Sequence, residues 1–137
     1  MFEMLFPYPI SSNRYWRMFR NRIVRSSAAR EYKDVVTDIA QQSGNQEFKG
    51  CVKVDLRLHP ERPKDWEKRA KKDSRWGLGV RRVDLDNALK VALDALQGIA
   101  YENDRQITDI RIRLGLPIEG GGLSVIVSAD EYWETPT

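Results

Sequence analysis

The sequence predicts an α+β fold, a mixed β-sheet with flanking helices in a single domain. Three observations predict it. Residues 51–58, 107–114 and 123–129 alternate apolar and polar side chains, the period of half-buried strands. Residues 26–42 and 85–98 instead carry apolar side chains at helical spacing. With 137 residues, 41% of them hydrophobic, the chain suits one core and one domain.

Taken in order, Phe2 to Phe6 is apolar and β-prone, and Pro7 and Pro9 end it. Ile10 to Asn13 reads as a loop. Arg14, Tyr15, Trp16, Arg17, Phe19, Arg20 and Arg22 then interleave cations with aromatics in a short hairpin turning near Asn21 and running to Arg25. Two readings stand side by side: a phosphate-binding surface with rings free to stack, or an amphipathic hairpin with Tyr15 or Trp16 in the core. Ser26 or Ser27 caps the first long helix. Its expected buried stripe is Tyr32, Val35, Val36 and Ile39, and Gly44 and Asn45 end it. Residues 60–82 are a basic insertion or loop with little core-forming pattern, although Pro63 can start a helix over 64–72. Trp66 and Trp76 within it either pack locally or stack on bases. Residues 107–114 and 123–129 read as an antiparallel pair joined by a glycine-rich turn, and an acidic tail follows from Asp130.

The composition excludes several classes. No apolar run approaches the roughly 20 residues of a membrane-spanning helix. The start of the chain lacks the basic region of a signal peptide. A lone cysteine, Cys51, forms no intramolecular disulfide, and with a lone histidine, His59, it makes a poor zinc site. His59, beside Pro60, reads as a strand-end residue rather than a base. A cytoplasmic protein is expected. The net charge is only +3, but it is segregated. Residues 14–33 hold seven basic and one acidic side chain, residues 57–82 ten and four, residues 83–137 four and ten. Basic blocks that attract a polyanion thus adjoin an acidic half that can hold cations.

The stretch from Arg81 to Gly98 organises the rest. Arg81 and Arg82 precede Asp84 and Asp86, and a helix then begins with Leu85, Ala88, Leu89, Ala92, Leu93 and Leu96 on its core side. Asp86, Asn87, Lys90, Asp94 and Gln97 fall on the other side. Asp84 stands at the N-cap, where a carboxylate can accept a backbone N–H bond. Capping is therefore one reading of the two acids. Asp104, just beyond the helix, suggests another, because three carboxylates converging through tertiary contact suit a hard divalent cation.

These motifs resemble those of the RusA-type Holliday-junction resolvases, small endodeoxyribonucleases of bacteria and their phages. The resemblance rests on D-x-D-N-x-x-K (Asp84, Asp86, Asn87, Lys90), on Asp104 in "YENDRQI", and on "PYPISSNRYW" from Pro7 to Trp16. It implies a homodimer that cuts four-way junctions by paired symmetric nicks, encoded by a bacterium, phage or prophage. It also implies Mg²⁺, or Mn²⁺ in its place, on Asp84, Asp86 and Asp104, with Lys90 as a catalytic cation. Asn13, Arg14, Lys71, Lys72, Arg81 and Arg82 would then hold DNA, and no small-molecule cofactor is expected. Asp94 is read as structural, pairing with Lys90 four residues earlier. Two other functions stay open: a non-catalytic DNA-binding protein on the same fold, and a nuclease for other branched DNA.

Overall fold

The computed structural model describes residues 1–44 and 47–134. Its elements run β1 (Phe2–Phe6), α1 (Ser12–Tyr15), β2 (Trp16–Phe19), β3 (Arg22–Arg25), α2 (Ser27–Gln42), β4 (Val52–His59), α3 (Trp66–Lys72), α4 (Leu85–Leu96), β5 (Ile107–Leu114) and β6 (Gly122–Ala129). Short 3₁₀ turns lie at Trp76–Gly79, Asp104–Gln106 and Glu131–Trp133. The α+β expectation holds, with a mixed four-stranded sheet ordered β1-β6-β4-β5 and a separate β2–β3 hairpin. α1 takes Ser12 to Tyr15 out of the expected loop and hairpin.

The expected pairing of residues 107–114 with 123–129 does not form. β4 lies between them, antiparallel to β6 and parallel to β5. The alternation of β5 and β6 reflects the two faces of a sheet and carries no information about neighbours. Val54, Leu56 and Leu58 stand beside Ile110, Ile112 and Leu114 on one side, and Val54 and Leu56 beside Val127 and Val125 on the other. One core cluster joins this sheet face to α2 and α4.

Ser26 caps α2 as expected, its hydroxyl accepting the Ala29 N–H at 3.1 Å. The buried side chains of α2 are Ala29, Tyr32, Val36 and Ala40, while the expected Val35 is exposed. The helix meets the core through its small residues, rotating Val35 outward. Gly44 follows at φ +69°, a left-handed conformation that suits glycine; Asn45 lies outside the described residues. In α4 the fully covered residues are Ala88, Val91, Ala92, Ala95 and Leu96, with Leu85, Leu89 and Leu93 half-buried at the margins. Gly98, at φ +84°, ends it as the sequence suggests.

Residues 60–82 are folded rather than a plain loop. Glu61 bridges to Ile118, and Arg62 N–H donates to the Ile118 carbonyl at 2.8 Å. The Trp66 and Trp76 rings lie 6.0 Å apart, and the Arg62 guanidinium sits 4.5 Å above Trp66. Two half-buried tryptophans and a stacked cation thus form a local cluster that a hydrophobic-period reading does not register. His59 ends β4, its ring nitrogens bonded to the Leu116 carbonyl and the Ser124 hydroxyl, which supports the strand-end reading. The acidic tail is anchored at its start: Asp130 is buried and accepts from Thr108 at 2.6 Å. Residues 135–137 lie outside the described residues.

Leu56 sits fully buried at the centre of β4. Leu56→Ala is expected to cost about 2–5 kcal/mol of unfolding free energy, read by urea denaturation, because the site is walled by strands on both sides.

Candidate active site

Asp84 is the N-cap residue of α4, with extended backbone at φ −67° and ψ 149°. Its side chain makes no capping hydrogen bond, so the capping reading of this residue is not realised. Asp86 lies in the first helical turn. Both carboxylates are exposed, and neither is engaged by a hydrogen bond or ion pair among the described residues. The helix dipole favours negative charge here. Asn87, half-buried between them and Lys90, has interactions of its own.

Lys90 follows one turn later, also exposed. The expected Lys90–Asp94 ion pair does not form, because Asp94 is taken by other partners. Its carboxylate accepts two bonds from Arg25, each 2.7 Å, and a short one from the Tyr15 hydroxyl. Lys33 closes the same cluster by donating to the carbonyls of Asp94 (2.9 Å) and Gln97 (2.8 Å) at the end of α4. Burial pushes the Asp94 carboxyl up, but the bonds from Arg25 and Tyr15 and the charges of Arg25 and Lys33 outweigh it, leaving its pKa below the usual carboxylate range. Burial, then the adjoining Asp94, raises the Tyr15 hydroxyl, and Asp94 keeps Arg25 firmly charged. Asp94 is structural, as expected, but toward the hairpin rather than along its own helix.

Asp104 is presented by a 3₁₀ turn that other residues build. Asn103 Oδ1 accepts the Arg105 N–H, and Gln106 Oε1 accepts the N–H groups of Glu102 and Asn103. Gln106 Nε2 then ties the turn to the carbonyls of Phe48 and Gly50, each at 2.9 Å. Capping falls to Asn103 and Gln106, and among the described residues the exposed Asp104 carboxylate makes no hydrogen bond or ion pair. Asp104 and Lys90 line one cleft of about 290 Å³ together with Trp16, Leu93, Asp94 and Gln97. Asp84 and Asp86 are not among its lining residues. Among the described residues no three His, Cys, Asp or Glu side chains stand close enough to hold a metal ion together, so the structure does not bring the three expected acids into one cluster.

Arg81 and Arg82 lead directly into this helix start. Arg81 and Arg82 are exposed on the extended approach to Asp84 and line a second cleft, about 420 Å³, with Tyr8, Glu61, Val83 and Gly120. Tyr8 fixes that approach by accepting the Val83 N–H at 2.7 Å. Asn13 and Arg14 are exposed on α1, and Lys71 and Lys72 at or near the end of α3. Sequence reasoning missed Tyr8, Trp16 and Gln97 as lining residues. The first two lie within the Pro7–Trp16 motif, which was the available signal. Gln97 shares the polar helix face of Lys90 and Asp94, which was the signal for it.

The fold and this helix start define a class: a small α+β protein that presents paired acids amid basic residues. The family profile of endodeoxyribonuclease RusA matches residues 7–128, and the chain belongs to that family. It is similar to the crossover junction endodeoxyribonuclease of Enterobacteria phage HK97, with 30% identity over 128 residues and 93% of each chain covered. The proteins of the same name from Shigella sonnei and Escherichia coli K12 are 31% and 30% identical over 124 residues, covering 88% of each chain. Family membership makes the protein a nuclease. No helix among the described residues is long and apolar enough to cross a membrane.

Because folding lowers the Asp94 pKa, its contribution is full above the unfolded value of about 3.9 and is lost as pH falls through the folded value. Asp94→Asn is therefore expected to lose about 1.5–3 kcal/mol at pH 7, the range for hydrogen bonds to a charged group. The gap from wild type should narrow below about pH 4. Parallel denaturant titrations at pH 7 and pH 3.5 check both parts.

Proposed function

We propose that the protein is a divalent-metal-dependent, structure-selective endodeoxyribonuclease that resolves four-way DNA junctions by paired symmetric nicks, acting as a homodimer in the cytoplasm. The observation that carries this reading is the start of α4. Among the described residues the Asp84 and Asp86 carboxylates make no hydrogen bond or ion pair; Arg81 and Arg82 precede them and Lys90 follows. A protein that only bound DNA would gain nothing from two unpaired carboxylates beside phosphates. The names of the relatives add the junction as substrate.

Arg81 and Arg82 would clamp backbone phosphates beside the helix start, and their exposure suits bidentate bonds to phosphate oxygens. Asn13, Arg14, Lys71 and Lys72 would extend that grip. Lys90, which forms no ion pair among the described residues, would neutralise charge developing on the scissile phosphate. Asp84 and Asp86 offer hard oxygen donors that fit Mg²⁺ or Mn²⁺, since Mg²⁺ commonly takes one or two carboxylates with water and substrate phosphates completing its shell. When bound, the ion supplies polarisation of the phosphate and a lowered pKa for the attacking water. Asp104 enters the ligand set on the family motif, and its place in the Lys90 cleft keeps it beside the same helix. A homodimer matches the two-fold character of a junction cut on two strands.

Cleavage of four-way junction, flap and linear duplex DNA, with and without Mg²⁺, tests the reading directly. Junction-selective, metal-dependent cutting is expected; cutting of flaps alone would reassign the substrate, and binding without cutting would make the protein a DNA-binding relative. Asp84→Asn, Asp86→Asn and Asp104→Asn should each abolish cleavage while junction binding stays equal or tightens, as gel-shift titration would show. Lys90→Ala should lose about 10²–10³ in cleavage rate with stability nearly intact. Lys90→Arg should recover only part, since a planar guanidinium does not occupy the ammonium position. Sedimentation should find a dimer both free and with one junction bound.

A further inference from the structure

The β2–β3 hairpin is a small sheet of its own, outside the four-stranded sheet. It turns in two residues, Arg20 and Asn21, at φ +50° and +62°. Both values belong to the tight turn that matches strand twist. Asparagine tolerates that conformation, whereas arginine seldom adopts it. The pairing sorts the tip into two faces. Met18 and Ile23 lie opposite each other on one, and Phe19 and Arg22, with Arg17 and Val24, on the other. Met18 is 64% exposed, Ile23 71% and Phe19 48%. The guanidiniums of Arg17 and Arg20 stand 5.3 Å and 5.2 Å from the Phe19 ring centre.

The root of the hairpin, by contrast, is fixed. Arg25 at the end of β3 and Tyr15 just before β2 both bond Asp94 of α4, and Ser26 N–H donates to the Tyr15 carbonyl at 2.8 Å. Trp16, the first residue of β2, lines the cleft that holds Lys90 and Asp104. An apolar and aromatic tip is thus held at a set position relative to the helix that carries the acids.

We propose that the hairpin tip is a wedge for the branch point of DNA: Phe19 stacks on a base exposed there, Met18 and Ile23 fill the opened step, and Arg17, Arg20 and Arg22 hold the flanking phosphates. This rests on the junction-cleaving reading above and names the element that selects branched DNA. Charge identifies the occupant. Residues 14–30 contain six arginines and no acid. Arg25 is spent on Asp94, and the cations around Phe19 at the tip remain for a polyanion. A second copy of the same tip would bring like charges together, which opposes hairpin-to-hairpin pairing. A fully stacked duplex offers no open base face, whereas a branch point does, and an aromatic ring flanked by cations suits an unstacked base.

The test uses an immobile four-way junction carrying 2-aminopurine beside the branch point, and a linear duplex of the same sequence, without divalent cation. Wild type should prefer the junction and raise the 2-aminopurine fluorescence. Phe19→Ala should bind the junction roughly ten-fold more weakly, or about 1.4 kcal/mol, and lose most of the fluorescence rise, with duplex affinity and thermal melting unchanged. Phe19→Trp should restore both. The wedge is refuted if Phe19→Ala opens and binds the junction as wild type does, if it weakens junction and duplex equally, or if it changes only the oligomeric state. A wild-type protein with no preference for the junction would overturn the functional reading itself, and that result precedes any variant.

Discussion

The carboxylate of Asp94 is the point on which the arrangement of the site depends. The two ends of the β2–β3 hairpin, Tyr15 just before β2 and Arg25 at the end of β3, meet the distant α4 there. Lys33 of α2 adds a further tie by bonding the carbonyls at the end of α4. The carboxylate is mostly covered, so its bonds are screened less than surface pairs and fix orientation as well as adding stability. One acid thereby orders the β2–β3 hairpin against the helix that bears Asp84, Asp86 and Lys90.

That arrangement also explains the division of labour among the acids of the acidic half. Asp94 and Asp130 accept hydrogen bonds and serve the fold. Asp84, Asp86 and Asp104 occupy the N-cap or first turn of a helix, where acids are favoured, yet Asp84 and Asp104 leave capping undone or to others. The bonds around Asp104 are made by Asn103 and Gln106, and those of Asp94 by residues of other elements. Acids relieved of structural work remain available for chemistry. Lys90 is relieved in the same way, because its neighbour four residues on is already neutralised.

Much of this was legible in the sequence, for physical reasons. The alternation in β4 gave its faces, Ser26 gave the cap of α2 and Gly98 the stop of α4, whereas the period of α4 gave Ala88, Ala92 and Leu96 but missed the buried Val91 and Ala95. The order of strands was not legible: β5 and β6 each alternate whichever strand lies beside them, and β4 enters between them through long-range pairing. Val35 was misplaced because helix rotation is set by how closely Ala29 and Ala40 let the helix approach. The motif residues could be named, but whether Asp94 serves Lys90 or Arg25, 69 positions away, is decided by tertiary contact. The folded state of residues 60–82 likewise rests on two tryptophans and an arginine, too few to produce a period.

The topology has a kinetic consequence. β1 pairs only with β6, so the edge of the sheet formed by residues 2–6 waits for residues 123–127. β4 and β5 are parallel neighbours, and their pairing must close the long excursion that contains α3 and α4. Both are non-local pairings whose loop entropy is spent before any contact returns it, which places the domain among slower folders, nearer milliseconds to seconds than microseconds. α4, with helical contacts close in sequence, can form early, while its fixed relation to the sheet comes late. During synthesis the acid-bearing helix would emerge well before β6, so ordering of the site against the completed sheet is a late event in the life of the chain.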